Sequence, residues 1–195
     1  PKGIQHDKSK HIGYSCALPG QMGAAELLGG RREMEDTAFA CIDERLDRLS
    51  GIQISDMLAN ILKQLADPSE KPFFFKHQGS CGLLTVTLPK DNQIIVASLG
   101  DSTTFGVRCT QDFQATCQKL VNDKLHTPRD ASEADRLKEG NFSIWGQRLG
   151  SGLAVSRAIG DHHDHRHGLI HTPDVFTYQF ETTNTHNYVV ASCHV

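Results

Sequence analysis

No apolar run in this chain reaches the roughly 18 residues that a membrane-spanning helix needs, so no membrane insertion is expected. A basic face is also missing. Lys and Arg number 20 against 23 Asp and Glu, for a net charge of -3, which argues against nucleic acid as a partner. No signal peptide is visible. The six cysteines (Cys16, Cys41, Cys81, Cys109, Cys117 and Cys193) include no C-x-x-C pair, and their spacing is not that of a small stapled domain. They read as buried thiols of a reducing compartment, so an intracellular, cytoplasmic location is expected. There is no internal repeat, and no biased tract beyond a run rich in histidine, a residue that occurs 11 times.

What is present fits one domain with a real core: 195 residues, 38% of them hydrophobic. Residues 1–11 are polar and read as a flexible N-terminal segment, with the domain proper over 12–195. "HIGYSCAL" reads as a strand and "PGQMGAAELLGG" as a Gly-rich connection. "EDTAFACI" alternates as a strand does, although the longer "MEDTAFACIDERLDRL" also suits a helix. "ISDMLANILKQLAD" predicts an amphipathic helix with Ile54, Leu58, Ile61, Leu62 and Leu65 on one face and Ser55 or Asp56 at its start. The runs Leu83–Leu88, Ile94–Leu99 and "TTFGVRC" predict a three-stranded antiparallel meander. "SEADRLKEGN" predicts a short helix ended by glycine, and "DVFTYQFE" and "NYVVASC" two further strands. Strands that come as hairpins, with few helices, predict an α+β fold of antiparallel sheets with helices packed outside. Phe142 and Trp145 read as packing residues, His171 as surface.

"GGRREMEDT" crowds two arginines against three carboxylates. Alone, it suits a solvated surface strip as well as the rim of a charged site. The series decides: "RREMED", "GSCGLLTVTL", "VASLGDS", "HTPRDASEADRLKEGN", "GLAVSRAIGD", "TPDV" and "YVVAS", in that order. In this order the chain resembles the type 2C metal-dependent (PPM) Ser/Thr protein phosphatases from about residue 12 onward. The resemblance implies a four-layer α-β-β-α sandwich and a phosphorylated protein as substrate. It also implies two Mg²⁺ or Mn²⁺ ions at one end, with a bridging water that attacks phosphorus. Hard divalent cations take oxygen ligands, and a phosphate dianion suits a guanidinium fork, so the residue types agree with that chemistry. By the resemblance, Arg31 grips phosphate, Glu35 and Asp36 serve the metals, and Asp101 helps to hold a further ion. Ser156, Arg157 and Asp161 are buried support, with Arg157 paired to a carboxylate. His126 and Pro128 match the family's Asp-His-Lys-Pro turn, with Leu125 in place of its Asp.

Two parts of the pattern are missing. No Asp-Gly-His-Gly occurs, and "YVVASCHV" stands where the family continues into another metal-ligand aspartate. The domain therefore reads as lacking the Asp-Gly-His segment and the C-terminal part. Two explanations stay open: a pseudophosphatase acting as a protein-binding regulator, or segments that the printed sequence does not include. A cysteine-based phosphatase is excluded, because no C-x₅-R segment exists. A third reading comes from "DHHDHRHG", in which His162, His163, His165 and His167 offer imidazoles for adventitious Zn²⁺, Ni²⁺ or Cu²⁺.

Overall fold

The computed structural model describes residues 12–17, 22–27, 46–66, 78–110, 112, 114–121, 125–180 and 186–192. The chain divides into two units, residues 1–48 and 49–195. In the first, β1 (Ile12–Ala17) pairs antiparallel with β2 (Met22–Leu27), Ile12 opposite Leu27 and Ala17 opposite Met22. Half of the stretch read as a Gly-rich connection is thus a strand. Pairing with a neighbour outweighs the weak strand preference of Gly23, Ala24 and Ala25. The alternative readings of 35–42, and the segment 1–11, lie outside the described residues.

The second unit opens with α1 (Gly51–Ala66). Its start is set by Ser50, not by Ser55 or Asp56. The Gln53 amide donates to Ser50 Oγ (3.3 Å), and the Ser50 amide donates to Gln53 Oε1 (2.9 Å), a capping box. The Ser55 hydroxyl instead donates to the Gly51 carbonyl inside the first turn. Ser50→Ala is expected to cost about 1 kcal/mol in chemical denaturation. The buried stripe is narrower than the sequence suggests. Ile54, Leu58 and Leu62 are buried, whereas Leu65 is 56% exposed.

The remaining elements, in chain order, are β3 (Gly79–Ser80), β4 (Gly82–Leu88), β5 (Gln93–Leu99), β6 (Thr103–Cys109) and β7 (Ala115–Lys119). They continue with α2 (Ala131–Glu139), β8 (Ile144–Trp145), β9 (Arg148–Leu149), β10 (Ile159–Gly160), β11 (Asp174–Gln179) and β12 (His186–Ser192). Two three-stranded antiparallel sheets result, ordered β11-β5-β4 and β12-β6-β7. The meander breaks after its second strand, for β6 joins the other sheet. The break falls at Gly100, which sits at φ +106°, a conformation that favours glycine, and whose N–H is taken by His126. The strand β7 was not read from the sequence at all. Its "ATCQK" is exposed along its first four residues and has no buried face to mark it.

Ile94 and Val96 on one face of β5 join Leu120 and Val121 in a core edged by Leu83, Leu125, Phe176, Tyr178 and Phe180. The pleat turns Ile95, Ala97 and Leu99 to the other face, where α1 packs. The helix α1 and the two sheets supply three of the four expected layers, in an α+β fold. A second core lies under α2, where Leu137, Leu149, Val155, Ala158 and Leu169 bury together with Phe142 at their edge. Trp145 does not pack there and is 74% exposed. It precedes the two-residue turn Gly146–Gln147, both at positive φ, whose hairpin faces only Ile144 and Leu149 inward. No described helix is long and apolar enough to cross a membrane.

Candidate functional site

At the end of β5 the chain turns sharply through Gly100 and Asp101, and a polar network behind this corner holds it in place. The Gly100 amide donates to His126 Nδ1 (3.0 Å). That bond makes Nδ1 an acceptor, so Nε2 carries the proton and donates to Asp174 Oδ2 (3.1 Å). Asp174 Oδ1 accepts from Arg157 (3.1 Å), and the same guanidinium forks onto Glu133 Oε1 at 3.0 and 2.5 Å. Glu133 Oε2 accepts from the Ser156 hydroxyl (2.6 Å) and from Arg136 (2.9 Å). The Ser156 amide returns to the His126 carbonyl (2.8 Å).

The charges are buried: the side chains of Glu133 and Arg157 are 3% and 14% exposed. Burial alone would raise the Glu133 carboxyl. Hydrogen bonds from Arg157, Ser156 and Arg136, with the Arg157 charge, reverse this and hold it at about 2, below its ordinary 4.5. The hydrogen bond from His126 is the main cause that lowers Asp174, with Arg157 adding to it against burial. Burial disfavours the Arg157 cation, but Glu133 and Asp174 more than restore it and raise its pKa.

The predicted residues distribute as follows. Arg31, Glu35 and Asp36 lie outside the described residues. Asp101 sits on the corner, half-buried, with Oδ1 accepting from the Cys81 thiol (3.1 Å). Ser156 and Arg157 lie inside the network. Asp161 begins the 3-10 turn His162–His167 in a left-handed conformation, and its amide donates to the Gln78 carbonyl (2.9 Å). A Cβ on Gly79 would collide with the Asp161 carboxylate, so the β3–β10 pairing needs glycine there. Of the four histidines in the tract, the structure joins His162 and His165 to His171, and not to His163 or His167. His171, read as surface, is half-buried. Sequence reasoning did not single out Glu133 or Asp174. Glu133 begins the helical "EADRL" and has no local mark of burial. Asp174 was visible only as part of "TPDV".

The fit to the family's metals is tested among the described residues at Asp101 alone. Its carboxylate is the hard-oxygen type that Mg²⁺ and Mn²⁺ take. The described group of three convergent donors is made of imidazoles and does not include Asp101.

A protein phosphatase 2C family model matches residues 16–194. The chain is 32% identical over 106 residues to a probable protein phosphatase 2C 61 of Arabidopsis thaliana, covering 48% of this chain and 32% of that one. It is 29% identical over 109 residues to the integrin-linked kinase-associated serine/threonine phosphatase 2C of Bos taurus, covering 56% and 29%. The chain therefore spans about a third of the length of the curated relatives it matches. Among solved structures, the fold is similar to a serine-threonine phosphatase 2C from Toxoplasma gondii (TM-score 0.52, 22% identity, 72% of this chain and 48% of that one). It is also similar to a C. elegans sex determining protein (TM-score 0.56, 24% identity, 72% and 33%). With the family match running over most of its length, the chain belongs to the protein phosphatase 2C family.

Proposed function

We propose that this protein is a metal-dependent phosphatase of phosphoserine and phosphothreonine in proteins, and that it acts inside the cell. The observation that carries the reading is the family match over residues 16–194, which takes in "RREMED", the Gly100–Asp101 corner and "SRAIGD" together. Arg31 binds the phosphate dianion with its planar fork. By the resemblance, Glu35 and Asp36 would be oxygen donors for Mg²⁺ or Mn²⁺ and Asp101 a donor to a further ion, and the bound metals would supply activation of water and charge neutralisation at phosphorus. The polar network has a positioning part: His126 fixes the Gly100 amide, and with it the direction in which Asp101 leaves β5.

Phosphate release from a phosphothreonine peptide is expected to require Mn²⁺ or Mg²⁺ and to fall to background on chelation. Release unchanged by chelation sinks the reading. The second reading is a non-catalytic, protein-binding relative. One observation favours it: Asp-Gly-His-Gly occurs nowhere in the 195 residues. Sustained Mn²⁺-dependent turnover excludes it.

A further inference from the structure

We propose that His162, His165 and His171 form a site for a borderline-soft divalent cation of the Zn²⁺ type, separate from the family's carboxylate chemistry. One ring nitrogen from each lies within 4.8 Å of the other two. His162 Nδ1 and His165 Nε2 face His171 Nε2 at 3.3 and 2.5 Å. Tetrahedral Zn²⁺ with bonds of about 2.0–2.1 Å separates its nitrogen ligands by about 3.3–3.4 Å. The first pair already has that spacing, and the second needs to open by less than about 1 Å.

The local backbone explains why two of the tract's four histidines join His171. A 3-10 turn has three residues per turn, so positions i and i+3 eclipse. His162 and His165 therefore share one edge of the turn His162–His167, while His163 and His167 fall on the other two. Gly168, left-handed at φ +94°, reverses the chain and brings His171 back to that edge. His171 is oriented from behind, since its Nδ1 donates to the Ala158 carbonyl (2.5 Å). This fixes the tautomer that leaves Nε2 as a lone pair facing the other two rings, the usual arrangement of a metal-bound imidazole.

The electrostatics fit a cation. Partial desolvation of the otherwise exposed His165 lowers its pKa, and His171 and His162 lower it further, so this one ring favours the neutral, ligating form. Asp164 acts in the opposite sense, placing negative charge beside His165; its buried Oδ1 has no hydrogen bond and lies 3.7 Å from His163 Nδ1. Three imidazoles with a fourth position left for water suit Zn²⁺ over Mg²⁺ or Mn²⁺. The bound ion would staple the 3-10 turn to the segment that enters β11.

The test is Zn²⁺ titration of the chelator-treated, desalted chain against a chromophoric competitor, with excess Mn²⁺ present to fill oxygen sites. One Zn²⁺ per chain is expected. His165→Gln and His171→Gln should each weaken it by at least about 100-fold, beyond what loss of an outer partner costs. His163→Gln and His167→Gln should leave it unchanged. His165 is exposed, so its variant keeps the fold even if His171→Gln does not, and circular dichroism checks both. No binding by the parent chain, equal binding by His165→Gln, or loss in the His163 and His167 variants would each overturn the site. Whether phosphate is released does not enter these readouts.

Discussion

Arg157→Ala should lower the unfolding free energy by about 3–5 kcal/mol at neutral pH, the cost of breaking a buried ion pair from one side. The reason is the company that Glu133 keeps. Its carboxylate is almost wholly buried, and without Arg157 only Ser156 and Arg136 remain as donors on one of its two oxygens. Asp174 loses a partner at the same time. The pH dependence gives an independent check. A carboxyl held at about 2 when folded and near 4.5 when unfolded stabilises the fold fully above about pH 4.5, and that contribution disappears as pH falls through about 2. The gap corresponds to about 3 kcal/mol. The parent protein should therefore lose stability steeply across that window, and the variant much less. Urea denaturation at pH 7 and along an acid series measures both. A variant within about 1 kcal/mol of the parent, with the same acid slope, means that the network carries no net stability. Arg157→Lys should recover little, because an ammonium cannot fork onto Glu133 while it reaches Asp174.

Arg31→Ala should cut Mn²⁺-dependent phosphate release by on the order of 10²–10³-fold, the range seen when one donor to developing negative charge is removed. The effect should fall on kcat/KM with a phosphopeptide. The thermal midpoint should stay near the parent's, in contrast to Arg157→Ala, which acts through the fold. Arg32→Ala serves as a control, because Arg32 falls at a position that the resembled family fills variably and reads as surface. Equal losses at Arg31 and Arg32 would mean a general charge effect. Activity that survives Arg31→Ala would remove the residue from the site.

The elements legible in the sequence were those whose signal is local. "ISDMLANILKQLAD" carries a helical period, and Leu83–Leu88 with Ile94–Leu99 carry two strands and a turn. Asp130, whose side chain accepts the Ser132 amide, and Gly140 bound the second helix at residues that the sequence already displays. What was hidden depends on partners far along the chain. The sheet that "TTFGVRC" joins is decided by Gly100 and by a histidine 26 residues later, and no local pattern records that. The carboxylates that meet Arg157 sit 24 and 17 residues away, one of them inside an ordinary helical stretch. The histidine tract is a similar case. The sequence offers His162, His163, His165 and His167 together, whereas the three rings that converge are those of His162, His165 and His171, the last of them beyond the glycine. The family was legible because motif order survives where single motifs are weak. It does not depend on geometry at all.

The pairing of β11 with β5 also has a kinetic consequence. The strands β4 and β5 are joined by a short turn and can zip up within a local hairpin. The strand β11 reaches the other edge of β5 only after the chain that makes β6 through β10 has been looped out. Closing so long a loop costs entropy before any contact repays it. The Arg157–Asp174 and His126–Asp174 bonds form only once that edge has docked. The latch behind the Gly100–Asp101 corner is therefore expected to be among the last features made on folding.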